Sequence, residues 1–382
     1  MSSHACRLCD QALPAQPLLQ FRNMPGAAQH FPDRAQLSHE SGIDLDIFQC
    51  ASCGLVQTAH EPVPYYREVI RAAAFSEEMK SFRRQQFADF VQRYDLHGKR
   101  LLEVGCGRGE YLTLFAEAGV EAHGLEYDTA AVETCLAQGL RAKHGFIEQP
   151  RQTLTAAPFD VFATLNFLEH WPEPRASLRG IAHNLGDDGI GLVEVPNFDM
   201  ILRQKLFTEF ISDHICYFTR DTLTTLLQIS GFEIVTCEAV WHDYILSAVV
   251  RKRRSCDVTG FSAARENLQQ ALNDYTRQHA AQGVAIWGAG HQALATIALL
   301  ELADRVRYVV DSAPFKQDKF TPATHLPIVA PDHLDRKPVG AIIIMAASYS
   351  DEVARTIRQR WGDTFHLAIL REHGLEILPH GA

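Results

Sequence analysis

Leu101-Leu102-Glu103-Val104-Gly105-Cys106-Gly107-Arg108-Gly109-Glu110-Tyr111-Leu112 is the stretch whose reading decides the fold. Leu101, Leu102 and Val104 make an apolar, strand-like run. Gly105, Gly107 and Gly109 form a G-x-G-x-G turn, and Tyr111, Leu112, Leu114 and Phe115 open a helical pattern. Strand, glycine turn and helix entry in succession describe a nucleotide site. Glycine admits a ligand where a Cβ would collide, and the first N–H groups of a helix have no partner within it. A glycine turn alone is a weak signal. A second strand-like run, Val120 to Leu125, strengthens it by ending in Glu126. That carboxylate lies about twenty residues beyond Gly105, where an acid accepts both hydroxyls of a ribose. The acid Glu103 and the G-x-G-x-G spacing set the turn apart from the dinucleotide pattern G-x-G-x-x-G.

Outward from this stretch, strand and helix patterns alternate: 100–104, 111–118, 122–126, 130–138, 161–166, 176–184, 189–195 and 222–230. Alternation of this kind predicts an α/β fold, a parallel sheet with helices on both faces and ligands beyond the carboxyl ends of the strands. Asn166, Glu169 and His170 fall just past one such strand end, and Phe146 follows the third strand. Ahead of the core, Met79, Phe82, Phe87, Phe90 and Val91 recur at helical intervals over 76–94 and read as packing. Tyr65 and Tyr66, at the mouth of that stretch, are candidates for ligand contact. Beyond Val195-Pro196-Asn197, the span Phe207 to Phe218 gathers Asp213, His214 and Tyr217. If Asp213 or a neighbour holds the imidazole, His214 is a base, neutral near pH 7 and able to take a proton. The structural alternative is a histidine capping the helix that begins near Asp221.

Composition bounds the rest. With 382 residues, 46% hydrophobic and 21% charged, the chain has room for two or three globular domains. No apolar run is long enough to span a bilayer. No basic region followed by an apolar core opens the chain, so no membrane association and a cytoplasmic location are expected. A net charge of −10 argues against a nucleic-acid partner. The one basic cluster, Arg251-Lys252-Arg253-Arg254, reads as a solvated edge. Cys6-x-x-Cys9 and Cys50-x-x-Cys53 deliver four thiolates as two pairs, which suits tetrahedral zinc better than disulfides in a reducing compartment. Four thiolates leave no open position, so such a site is structural. His4 and His30 stand nearby and read as ordinary surface histidines.

After a polar amphipathic helix over 261–282, Val284 to Trp287 leads into Gly288-Ala289-Gly290-His291-Gln292-Ala293, a second strand-turn-helix of form G-x-G-x-x-A. Asp311 ends the next strand-like run. Alone, this would suggest a dinucleotide and a redox cofactor, although no hydride-transfer acid accompanies it.

The G-x-G-x-G turn with its acids resembles motif I of class I methyltransferases, which bind S-adenosylmethionine. The Leu168-Glu169-His170 element is similar to one seen after the fourth strand of those enzymes, facing methyl donor and acceptor. Over nearly the whole chain, the double Cys-x-x-Cys lobe, this core, the Asp213-His214-Ile215-Cys216-Tyr217-Phe218 segment and the last lobe resemble the zinc-containing sugar C-methyltransferases of deoxysugar pathways. The resemblance implies a class I, Rossmann-like methyltransferase domain over 66–252, a small zinc-binding lobe over 1–65, and a linker helix with a C-terminal Rossmann-like lobe over 253–382. It implies S-adenosylmethionine held by Glu103, Gly105, Gly107, Gly109, Glu126, Phe146 and Asn166, and structural zinc on Cys6, Cys9, Cys50 and Cys53. His214 would be the base, with Asp213 where the family has Glu and Tyr217 as a donor to the enolate. The acceptor, a nucleotide-linked 4-keto-deoxysugar, would meet Tyr65, Tyr66, His170, Asn197 and Lys316, the last lying in a loop similar to the family's P-x-K-x-G. Two departures, Ile211 for a tyrosine and His242-Asp243-Tyr244-Ile245 for His-Gly-Gly-Ser, fall where the sugar would sit. O- or N-methylation of a related small molecule is the alternative.

Overall fold

The computed structural model describes residues 5–29, 31–68 and 76–380. The chain divides into two compact units, Met1–Ser255 and Cys256–Ala382.

The first unit begins with β1 (Leu19–Met24), β2 (Ile43–Gln49), β3 (Val56–Thr58), α1 (Glu77–Arg93), β4 (Arg100–Val104), α2 (Glu110–Glu117), β5 (Glu121–Glu126) and α3 (Thr129–Ala137). It continues with β6 (Arg141–His144), β7 (Phe159–Leu165), α4 (Pro174–His183), β8 (Leu185–Pro196), α5 (Phe198–Gln204), β9 (Cys216–Tyr217), α6 (Arg220–Ile229), β10 (Phe232–Val240) and β11 (Ile245–Lys252). Its main sheet has 7 strands in the order β10-β11-β8-β7-β4-β5-β6. The run β8 to β6 is parallel, and the hairpin β10–β11 closes one edge antiparallel to β8. β4 and β7 are central strands covered on both faces, which is why Val161 to Ala163 read as an unbroken apolar run and Leu101, Leu102 and Val104 as one interrupted only by the buried Glu103. One face packs under Phe87 and Val91 of α1 and Tyr111 and Phe115 of α2. The other packs under Leu178 and Ile181 of α4 and Leu223 and Leu226 of α6. Strand order reverses at β4, so the crevice past its carboxyl end is the binding position of this topology.

The segment between the cysteine pairs reads in sequence as turn-rich and poor in core, yet it holds β1 and β2. Ile43-Asp44-Leu45-Asp46-Ile47 alternates, with Leu45 and Ile47 fully buried. A second sheet runs β1-β2-β3-β9, and Val56 and Gln57 pair with Tyr217 and Cys216. The N-terminal region thus shares a sheet with the segment that follows His214.

The second unit runs α7 (Gly260–Gln278), β12 (Val284–Trp287), α8 (His291–Leu299), β13 (Tyr308–Val310), β14 (Lys319–Phe320), β15 (Pro327–Val329), α9 (His333–Arg336), β16 (Ala341–Ile344), α10 (Ser350–Trp361), β17 (His366–Arg371) and β18 (Gly374–Ile377). The helix expected to reach residue 282 stops at Gln278. The sheet order is β14-β15-β13-β12-β16-β17-β18, again reversing at the strand that ends in the glycine turn. Its core is Ile286, Val309, Ile343 and Ala368. No helix among the described residues is long and apolar enough to cross a membrane.

Candidate active site

The turn after β4 needs its glycines. At Gly105 φ is +76° and a Cβ would stand 2.4 Å from Phe167; at Gly109 φ is +90° and a Cβ would stand 2.4 Å from Leu140. Gly107 shares the left-handed backbone. Glu126 is pinned from its own end of β5. Its Oε2 accepts from the Gly107 N–H at 2.8 Å, and Oε1 accepts from Tyr127 and Asp128 at 2.8 and 2.9 Å. Glu103 is buried within β4. Phe146 lies edge-on to Tyr66, Phe167 and Trp171, with ring centroids 5.9, 6.0 and 5.9 Å apart.

A buried ion pair supports this end. Arg83 of α1, 1% exposed at its side chain, meets Glu194 of β8, 0% exposed. Gln86 donates to Glu194 at 2.6 Å, and Arg83 Nη2 donates to Asn166 Oδ1 at 3.5 Å. Asn166 takes φ +50° while its N–H reaches Glu194 O at 2.8 Å.

A cavity of about 360 Å³ joins Gly105, Glu126, Arg83 and Asn166 at one end to Glu169, His170 and His214 at the other. His170 Nδ1 stands 2.7 Å from Asp213 O, so it carries the proton and Nε2 the lone pair. Burial pushes His170 down to about 4, against the Asp213 contact, which acts the other way. His214 is half-buried, its ring 4.8 Å from that of His170. Burial first and His170 second hold it well below the ordinary 6.5. Both rings are therefore neutral at pH 7.

Several sequence expectations change here. Asp213 does not hold His214. Its Oδ1 accepts from the Tyr65 hydroxyl at 2.8 Å, and Oδ2 accepts from Ala28 N–H at 2.9 Å and Ser212 Oγ at 3.2 Å. Tyr65 is thereby a partner of Asp213 rather than part of the cavity wall, its phenol pushed up to about 12 by burial and then by that carboxylate. Tyr217 turns its hydroxyl to Ile211, accepting from the N–H at 3.1 Å and donating to the carbonyl at 3.2 Å. It is not available to an enolate. Asn197 caps α5 and donates to Asp243 O at 2.7 Å, which fixes a loop and not a ligand. The cap of α6 is Thr219, so His214 has no capping role.

That loop is Trp241-His242-Asp243, three consecutive non-glycine residues at φ 48°, 56° and 67°. It sets Trp241, 5.1 Å from the Phe82 ring, and Tyr244 on the cavity wall with Ile211. Tyr244 donates to Glu209 at 2.8 Å.

The sulfurs of Cys6, Cys9, Cys50 and Cys53 lie within 4.8 Å of one another, with Cys6–Cys53 and Cys9–Cys50 each 3.5 Å apart. Tetrahedral Zn–S bonds near 2.3 Å require S–S separations of about 3.8 Å, so the four thiols are compatible with zinc. His4 and His30 lie outside the described residues. Ligand atoms of Glu169, His170 and His214 also fall within 4.8 Å of one another. In the second unit, Asp311 accepts from Ala289 N–H at 2.8 Å and from Lys316 Nζ at 2.9 Å. Lys316 is therefore paired within its own crevice.

Residues 79–237 match the family described as a methyltransferase domain, and residues 255–369 match the C-methyltransferase C-terminal domain. The chain is an S-adenosylmethionine-dependent methyltransferase. It is 24% identical to the C-methyltransferase NovU of Streptomyces niveus, across 91% of this chain and 90% of that one. It is 31% identical to a ubiquinone biosynthesis O-methyltransferase of Xylella fastidiosa, across 26% of this chain and 44% of that one. The magnesium protoporphyrin IX methyltransferase of Synechocystis PCC 6803, solved with bound SAH, superposes with a TM-score of 0.39 at 15% identity, covering 50% of this chain and 91% of that one. The methyltransferase also carries two wall residues that sequence reasoning missed, Arg83 and Trp241, beside Tyr244 of the His242-to-Ile245 departure. Arg83 had a signal, since it falls on the buried face with Met79, Phe87 and Phe90, where a lone cation needs a reason to be.

Proposed function

We propose that this methyltransferase acts on carbon, transferring the methyl of S-adenosylmethionine to the position beside the ketone of a nucleotide-linked 4-keto-deoxysugar, with His214 as base. The observation that carries the reading is His214 itself: a neutral, half-buried imidazole on the wall of the cavity that begins at Gly105 and Glu126. No hydrogen bond to its ring occurs among the described residues, so its lone pair is open to a substrate proton. The relative over nine-tenths of the chain bears the name C-methyltransferase, which supports carbon as the acceptor atom.

Glu126 would hold the donor's ribose, Phe146 would line its base and Arg83 would meet its carboxylate. His214 takes the proton beside the ketone, and the C–H electron pair becomes the enolate. The enolate carbon attacks the sulfonium methyl in line, the S–CH3 bond breaks, and its electrons stay on sulfur as the neutral thioether. His170, held by Asp213 O, keeps the His214 ring in place. Asn166 is an uncharged amide on the wall whose Oδ1 accepts from Arg83, and its NH2 supplies the N–H that an enolate oxygen requires. Zinc, held by Cys6, Cys9, Cys50 and Cys53, would stay outside these steps and supply a rigid N-terminal fold.

The test is incubation with nucleotide-linked 4-keto-sugars in deuterated water. The parent should exchange the C–H beside the ketone and add one methyl to carbon; His214→Gln should lose both, by about a hundredfold or more. A methyl found on oxygen or nitrogen, or exchange that persists in His214→Gln, overturns the assignment.

A further inference from the structure

The part of the donor crevice meant for a base holds a side chain of the protein. Glu126 fixes where a ribose sits, and the sheet continues from β5 to β6, so the attached base lies beyond Glu126 towards the end of β6. Tyr127 follows β5 and Phe146 follows β6, and these two rings bound that slot. The guanidinium of Arg67 lies against both. Its Cζ is 5.2 Å from the Tyr127 ring centroid and 5.7 Å from that of Phe146, with Tyr66 at 4.5 Å. Arg67 Nε donates to Glu148 Oε1 at 2.8 Å, and Nη2 reaches the same oxygen. In keeping with this, the cavity walls include Gly105 and Glu126 but neither Tyr127 nor Phe146.

We propose that Arg67 competes with the donor: its guanidinium stands in the adenine slot, against the rings of Tyr66, Tyr127 and Phe146 and tethered by Glu148, and the adenine of S-adenosylmethionine must displace it to bind. A guanidinium suits this position because it is planar, weakly hydrated and stacks on aromatic faces. Its side chain is 29% exposed, so a path out exists. Displacement breaks the Arg67–Glu148 contact, and donor affinity is lowered by the fraction of molecules in which the slot is filled. The inference rests on the donor site at Gly105 and Glu126.

The experiment follows binding of S-adenosylhomocysteine to the full chain by stopped-flow tryptophan emission, since the Trp171 ring is 5.9 Å from Phe146. Side-chain displacement is fast on this timescale, so in the parent the observed rate should rise linearly with ligand concentration, its slope reduced to the fraction of molecules with an open slot. In Arg67→Ala the slope should rise and Kd should fall, each by about tenfold with dissociation unchanged, as for a slot filled nine-tenths of the time. Glu148→Gln should move both in the same direction by a smaller factor. An unchanged slope in Arg67→Ala, or tenfold weaker binding with unchanged association, would overturn the proposal and make Arg67 a contact of the bound base. If neither protein binds the ligand, the donor site itself is wrong and the proposal falls with it.

Discussion

Replacing Arg83 by methionine separates two roles of one side chain. The substitution leaves the Glu194 carboxylate fully buried with Gln86 as its remaining side-chain partner. An uncompensated buried charge destabilises by about 3–5 kcal/mol, whereas removing both charges of such a pair is close to neutral. Arg83→Met should therefore lose most of the stability of the first unit. The double variant Arg83→Met/Glu194→Gln, which keeps an acceptor for Gln86, should recover to within about 1–2 kcal/mol of the parent. Urea unfolding of the full chain, read at the transition of the first unit, measures both. Donor binding should not recover with it, since the cation for the donor's carboxylate is gone; calorimetry should find S-adenosylhomocysteine bound at least about tenfold more weakly, the loss of one charge-assisted contact. A double variant as unstable as the single would refute the buried-charge reasoning. One that binds donor as well as the parent would reduce Arg83 to a structural residue.

Four further outcomes follow from the same geometry. Unfolded histidine titrates near 6.5 and His170 near 4, so the unfolded chain binds the extra proton between these values; stability is full above about 6.5 and falls by about 3 kcal/mol as pH drops through 4, and His170→Gln should flatten urea midpoints measured over that window. Because His214 is held below 6.5, the acid limb of kcat/KM should lie below pH 6.5 and disappear as an assignable limb in His214→Gln. Chelation should release one zinc per chain and lower Tm, and cobalt refilling should give thiolate charge-transfer absorption that Cys50→Ser removes. Gly105→Ala adds a Cβ 2.4 Å from Phe167 at φ +76°; strain of about 1–2 kcal/mol and overpacking of about 1–3 kcal/mol should appear as a lower Tm and weaker donor binding.

What was legible in the sequence was what the chain encodes locally. The glycine turn, Glu126 and the apolar runs of β4 and β7 each declare themselves within a few residues, and the cysteine pairs do so by spacing. His214 was legible as a candidate because an acid, an imidazole and a phenol crowd one short span. The partners in that span were not. Adjacency suggested that Asp213 serves His214, but neighbouring side chains on an extended segment diverge, and the carboxylate turns to Tyr65 and Ala28, far away in sequence. Tyr217 reads as a free phenol until Ile211 is seen closing on it. β1 and β2 hid behind prolines, although Ile43 to Ile47 alternates clearly. Lys316 read as a contact for the acceptor, and its pairing with Asp311 depends on the turn at Ala313 that brings it back over the strand end.

The loop Trp241-His242-Asp243 bears on how this protein can change over generations. Each of its residues sits where glycine is favoured, at roughly 1–2 kcal/mol apiece relative to ordinary backbone. At Trp241 a mutation to glycine would relieve that backbone cost and at the same stroke remove from the cavity wall the indole that leans on Phe82. Lineages under pressure for robustness alone should drift towards glycine at 241–243, and those held to one acceptor should not. The loop is thus a place where selection for what the enzyme accepts can be read separately from selection for remaining folded.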